Sequence, residues 1–197
     1  MGNRSLDYRQ VESGFTQPNA KINQKMLAWA DACCRDNRGD LLELYCGNGN
    51  FTVALAGNFR RVLATEISKV ATACAKHNLL HNGVHNVELV RMSSEDITQA
   101  IDRVRAFRRL ENIDLDSYAF STLLVDPPRA GLDPATLALA TRFERIIYIS
   151  CNPTTLMDNL ETLALTHRIV KAAVFDQFPW TEPVSYTHLT LPTNREV

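Results

Sequence analysis

Short apolar runs separated by amphipathic stretches alternate along most of this chain. Leu41 to Cys46, Arg61 to Glu66, Asn86 to Arg91, Ser121 to Asp126, Arg145 to Ser150 and Arg168 to Phe175 are each of strand length. Helical spacing fills the intervals. Ile22, Met26, Leu27, Trp29 and Ala30 form one stripe, with Asn19 placed to cap it. Phe51, Val53, Leu55 and Ala56 form another, Ser68 opens a helix reaching about Leu80, and Ser93 opens one expected to carry Arg103, Arg105, Arg108 and Arg109. Pro153 stands in the first turn of a helix reaching about Leu165. Strands alternating with helices predict an α/β fold with a doubly wound, mostly parallel sheet. Tyr186 to Leu191 is expected to add at most a short edge strand.

Composition narrows the picture. A net charge of −1 gives no general attraction to nucleic acid, so an RNA partner needs a local basic patch or another domain. The arginine group reads first as solvated helix surface and second as a phosphate contact. No apolar run has the length of a membrane span and no signal peptide opens the chain, so no membrane partner is expected. The five cysteines are odd in number and lack a Cys-x-x-Cys pair, which argues against disulfides or structural zinc and for the reducing cytoplasm. His77, His81 and His85 recur every four residues, but no further ligand pattern accompanies them, and no metal is expected.

Candidate chemistry lies at strand ends. Leu44-Tyr45-Cys46-Gly47-Asn48-Gly49-Asn50 joins a strand to a helix through glycines that permit tight turning and close approach. Glu66 ends the next strand, where a carboxylate can accept from both hydroxyls of a ribose. A tight turn and a surface acid explain the two features separately; together they favour a nucleoside cofactor. The loop lacks a Walker lysine and the third glycine of the dinucleotide fingerprint. The combination is similar to class I S-adenosylmethionine-dependent methyltransferases, whose fold is Rossmann-like.

Asp126-Pro127-Pro128 and Ser150-Cys151-Asn152-Pro153 end two further strands. In a parallel sheet both ends face one crevice. Cys151 is either a buried apolar thiol or a nucleophile whose pKa the amino end of the following helix lowers. Asp126 is either a turn acid or a group facing a ligand.

Asp126-Pro127-Pro128-Arg129-Ala130-Gly131-Leu132, Ser150-Cys151-Asn152-Pro153, Phe15-Thr16-Gln17-Pro18-Asn19 and Glu43 to Phe51 jointly resemble the RNA uracil-5-methyltransferases over about residues 8–181. Phe175-Asp176-Gln177-Phe178-Pro179 is closer to the tRNA T-loop branch than to the ribosomal one. The resemblance implies S-adenosyl-L-methionine as cofactor and the T-arm of tRNA as substrate. It implies Cys151 as the thiolate that adds to carbon 6 of uracil, with carbon 5 then methylated. It also implies cofactor contacts from Gln17, Tyr45, Gly47, Asn50, Glu66 and Asp126, and substrate contacts from Phe15, Gln17 and Asp126. A cytoplasmic monomer is expected.

The chain departs from the family pattern near its end. The family's proton-abstracting glutamate falls at Ser185, with Glu182 three residues earlier. The expected organisation is a connector over 1–20 from a missing RNA-binding region, a catalytic domain over 21–182, and a non-family tail over 183–197, with the last strand missing or replaced. Adduct formation with slow release is then expected. The competing readings are a cofactor-binding remnant without turnover and a methyltransferase acting on another RNA.

Overall fold

The computed structural model describes residues 5–12, 14–35 and 39–177 in full, and the backbone of 187–192. Among these, seven strands form one sheet: β1 (Asp40–Leu44), β2 (Val62–Thr65), β3 (Val87–Val90), β4 (Phe120–Val125), β5 (Arg145–Ser150), β6 (Lys171–Val174) and β7 (Thr187–Pro192). Their spatial order is β3-β2-β1-β4-β5-β7-β6. Pairs from β3 through β5 are parallel, and β7 runs antiparallel to both β5 and β6. The α-helices are α1 (Ala20–Cys34), α2 (Asn50–Leu55), α3 (Lys69–His81), α4 (Ser94–Ile101), α5 (Pro134–Ala140) and α6 (Pro153–Leu163).

Strand parity decides which helices each face receives, because successive side chains point to opposite faces. Leu42, Leu44, Leu63, Leu123, Val125, Ile146 and Tyr148 pack with Ile97 of α4, Leu139 of α5 and Leu156 and Leu160 of α6. The alternate positions Leu41, Val62, Ala64, Leu124, Ile147 and Ile149 pack with Met26 and Ala30 of α1 and Phe51 and Leu55 of α2. Each fully buried leucine contributes about 1.5–3 kcal/mol. Helix starts follow the capping residues: Asn19, Ser68, Ser93, Asp133 and Asn152 each accept from a backbone N–H of the first turn.

Four expectations are corrected. α4 ends at Ile101, so the arginines lie beyond it; Arg103 takes a left-handed φ of 57°, which stops the helix. α5 was absent from the sequence reading, although Asp133-Pro134 is a cap followed by a first-turn proline. The last strand is Thr187–Pro192, and it lies between β5 and β6 rather than at an edge, because β5 and β6 both leave a backbone ladder for it. The sheet is therefore not short of its last strand: of the two alternatives, missing or replaced, a strand from the tail segment fills the place. Phe178, Pro179, Glu182, Ser185 and Tyr186 fall outside the described residues.

Candidate active site

The register aligns the proposed residues. Leu44 pairs with both Thr65 and Val125, and Val125 pairs with Tyr148. Tyr45, Glu66 and Asp126 therefore leave the sheet side by side, and Cys151 follows the end of β5. The strand order reverses between β1 and β4, which opens a crevice beyond their carboxyl ends.

The loop after β1 is built from left-handed residues: Tyr45 at φ 60°, Gly47 at 56° and Gly49 at 82°. A tyrosine at that φ is strained and is held by its surroundings, its hydroxyl donating to Ser94 Oγ at 2.7 Å. The loop closes as Gly49 N–H donates to the Cys46 carbonyl at 2.9 Å. Glu66 then bridges the loop to α3: one carboxylate oxygen accepts from Gly47 N–H at 3.0 Å and the other from Ser68 N–H at 2.7 Å. A Cβ at Gly47 would meet nothing within 4 Å, so that backbone borders open space, whereas at Gly49 it would press Ala75 at 3.4 Å. A cavity of about 300 Å³ opens here, lined by Phe15, Thr16, Gly47, Asn48, Glu66 and Val70 among others. Phe15 is 77% exposed and Val70 49%, apolar lining on the same cavity as the Glu66 carboxylate.

The segment before α1 is stitched to this loop. Fully buried Asn78 accepts from Arg9 N–H at 2.7 Å and donates to the carbonyls of Arg9 and Asn48. Tyr8 Oη donates to the Asn50 carbonyl at 2.9 Å. The Asn50 side chain forms a reciprocal amide pair with Asn23, 2.9 Å in each direction, and does not line the cavity.

Asp126 and Cys151 belong to one stitched unit. The Arg129 carbonyl accepts from Asn152 Nδ2 at 2.8 Å and Thr155 Oγ1 at 3.1 Å. Asn159 Oδ1 accepts from Leu132 N–H at 2.9 Å and from Tyr148 Oη at 2.8 Å. Gly131, at φ 78°, sits where a Cβ would fall 2.9 Å from Asn159 Oδ1. Gly131→Ala is expected to lower unfolding free energy by about 1–3 kcal/mol, through the strained φ and this clash, as read by urea titration.

Electrostatics corrects one expectation. Burial raises the Asp126 pKa to about 7. The Cys151 thiol is half-buried, and burial pushes its pKa up, the Asp126 carboxylate adding to the rise and Arg129 opposing it. Desolvation and the neighbouring acid thus raise the thiol pKa, where a lowered one was expected. Glu43, inside β1, was given no role by the sequence reading. It is 1% exposed, burial raises its pKa to about 8, and its Oε2 has no hydrogen-bond partner. A neutral carboxyl tolerates that position where a carboxylate would not.

The structure thus gathers Phe15, Gly47 and Glu66 around the cavity, aligns Tyr45 and Asp126 at neighbouring strand ends, and ties the Asp126 loop to the Cys151 turn. Gln17 and Asn50 are each held by a partner amide. Val70, Asn78 and Gln177 were missed, because their placement depends on contacts between distant parts of the chain. Among the described residues no cluster of metal-ligating side chains is present, and no helix is long and apolar enough to cross a membrane.

A sequence profile described as tRNA (Uracil-5-)-methyltransferase matches residues 1–190. A tRNA/tmRNA (uracil-C(5))-methyltransferase of Teredinibacter turnerae is 62% identical over 182 residues, covering 92% of this chain and 50% of the relative. One from Haemophilus influenzae is 61% identical over 179 residues, covering 91% and 49%. The chain spans about half the length of these relatives. The crystal structure of Pyrococcus abyssi tRNA (uracil-54, C5)-methyltransferase in complex with S-adenosyl-L-homocysteine matches with a TM-score of 0.70 at 24% identity, over 95% of this chain and 42% of that one. A precorrin-6y C5,15-methyltransferase of Geobacter metallireducens matches with a TM-score of 0.64 at 14% identity, over 94% of each chain. These two likenesses concern the fold.

Proposed function

Because the chain belongs to the tRNA (uracil-5-)-methyltransferase family, we propose that it binds S-adenosyl-L-methionine and methylates carbon 5 of a uridine in the T-arm of tRNA, through a Cys151 adduct. The observation that carries this reading is the alignment of Tyr45, Glu66 and Asp126 at neighbouring strand ends, with the Cys151 turn tied to the Asp126 loop. The donor set suits a nucleoside cofactor. Each Glu66 oxygen keeps a lone pair for a ribose hydroxyl after accepting from Gly47 and Ser68. Open space at Gly47 admits close approach, and Val70 supplies an apolar wall for a base. When bound, S-adenosylmethionine supplies the electrophilic methyl group.

The chain's own groups carry the rest. Phe15 packs on the target base, and Gln17 and Asp126 orient it. The Cys151 thiolate adds to carbon 6, forming the S–C6 bond and moving the electron pair of the 5,6 double bond into an enolate that makes carbon 5 nucleophilic. After methylation a base takes the proton from carbon 5, the double bond re-forms and the thiolate leaves. Ser185 stands where the family places its glutamate, so we assign this chain slow product release. We assign the work to a monomer in the cytoplasm, with residues 1–20 as a connector to an RNA-binding region, 21–182 as the catalytic domain, and 183–197 as a tail whose segment Thr187–Pro192 serves as the last strand.

Single-turnover transfer of labelled methyl to T-arm RNA, with little further product on longer incubation, is the expected result. Rapid multiple turnover would refute the assignment of slow release, and no transfer at all would refute the activity. Glu66→Ala should weaken cofactor binding by about 1–3 kcal/mol, measured by calorimetry with S-adenosylhomocysteine.

A further inference from the structure

Gln177 is 2% exposed and lies beyond β6, far in sequence from everything it touches. Its Oε1 accepts from the Asn19 backbone N–H at 3.2 Å. Its Nε2 donates to Gln17 Oε1 at 2.6 Å and sits 3.0 Å from Met26 Sδ. A backbone N–H is a donor under every condition. Asn19 therefore decides which end of the Gln177 amide is the oxygen, and that choice turns the Gln177 NH₂ toward Gln17. Gln17 must meet a donor with its own oxygen, so its NH₂ is the free end. Among the described residues no acceptor meets that NH₂, and Gln17 is only half-buried. Phe15 and Thr16, immediately before it, line the cavity beside Glu66.

We propose that Gln177 is a positioning residue that sets the amide polarity of Gln17, and through it selects uracil against cytosine as the target base. The inference rests on the reading above, in which Gln17 contacts that base. The chemistry of discrimination is at position 4: uracil presents a carbonyl oxygen there, and cytosine an amino group. An outward NH₂ on Gln17 is received by the first and opposed by the second. A freely turning glutamine would serve either base by rotating about its last bond. Here rotation sets two NH₂ groups against each other, and correcting that by turning Gln177 sets its NH₂ against the Asn19 N–H in a buried position.

The test uses the whole chain, S-adenosylmethionine, and T-arm RNAs carrying 5-fluorouracil or 5-fluorocytosine at the target position, with adduct formation followed under single turnover. S-adenosylhomocysteine affinity is measured in parallel. The parent chain should favour 5-fluorouracil. Gln177→Glu offers acceptors on both sides, so Gln17 turns its NH₂ inward and presents its oxygen; the uracil-to-cytosine rate ratio should fall about tenfold or more with cofactor affinity unchanged. Gln177→Met removes the constraint and should lower the ratio by a smaller factor. Gln17→Glu keeps the bond from Gln177 but presents an acceptor outward, and should reproduce the loss even where the Gln177 variants do not fold. A ratio held within about twofold in a folded Gln177 variant, or in Gln17→Glu, overturns the proposal. So does a change confined to cofactor affinity, which would assign Gln17 to the cofactor instead. Absence of any adduct from the parent chain is a separate result, which refutes the underlying functional reading and the inference with it.

Discussion

Cys151→Ala abolishes the covalent complex between this chain and 5-fluorouracil T-arm RNA, while S-adenosylhomocysteine still binds. The expectation follows from where the thiol sits. It directly follows β5, half-buried, with Asn152 Nδ2 bonded to the Arg129 carbonyl and the Asn152 side chain capping α6 at Thr154 N–H. Neither bond involves the sulfur, so alanine leaves the turn in place. Glu66, Gly47 and the cavity lie on the other side of β1 and share no hydrogen bond with Cys151 among the described residues. Cofactor affinity should therefore change by less than about 0.5 kcal/mol. Because burial and Asp126 raise the thiol pKa, adduct formation in the parent chain should also keep accelerating with pH beyond neutrality, as the thiolate fraction grows. An adduct of undiminished yield from Cys151→Ala would discard the nucleophile assignment. A rate flat from neutral pH upward would discard the electrostatic account of it.

Stability should fall as pH rises from about 4 to about 8, and Glu43→Gln should remove much of that fall. Burial raises the folded pKa of Glu43 from 4.5 to about 8 and that of Asp126 from 3.8 to about 7. Between the unfolded and folded values the folded chain holds protons that the unfolded chain has released. The stability these groups contribute is full below about pH 4 and is lost as pH rises through the folded pKa values. The effect is on the order of a few kcal/mol for Glu43, which burial leaves with an unpartnered oxygen. His167 acts in the opposite sense, since burial lowers its pKa and, as pH falls through the ordinary histidine range, the unfolded chain binds the extra proton first. Comparing urea midpoints of the parent and Glu43→Gln at pH 5 and pH 8 isolates the carboxyl. Equal pH dependence in the two would contradict a proton held at Glu43.

The parts of the site that were legible in the sequence are those built locally. An apolar run that stops at Glu66, at Asp126-Pro127-Pro128 or at Ser150-Cys151-Asn152-Pro153 announces a strand end and the group it delivers, and parallel register then lines these ends up. Glu43 was hidden inside such a run. Only strand parity, together with α2 packing on that face, shows that its carboxyl is enclosed. Asn78, which ties Arg9 to the glycine loop, reads in sequence as an ordinary surface position of a helix. Gln177 and Gln17 lie at opposite ends of the described chain, and no local pattern joins them. The place of β7 was illegible for a related reason: whether a short apolar segment caps an edge or fills a gap depends on the distance between β5 and β6, which folding sets. Beyond α4, Arg103 pairs with Asp116 and Arg105 with Asp96, pairings that no local sequence pattern announces.

The central claim is that Cys151 acts on a uracil beside a bound methyl donor. The intact mass of the parent chain, after incubation with S-adenosylmethionine and 5-fluorouracil T-arm RNA, tests it most directly. Fluorine at carbon 5 leaves no proton to remove, so the S–C6 bond persists once methyl has been transferred. The account predicts a species equal to the chain plus the RNA plus one methyl group, with the linkage mapping to Cys151. Recovery of only free chain and unmodified RNA, under conditions where S-adenosylhomocysteine binds, would contradict it.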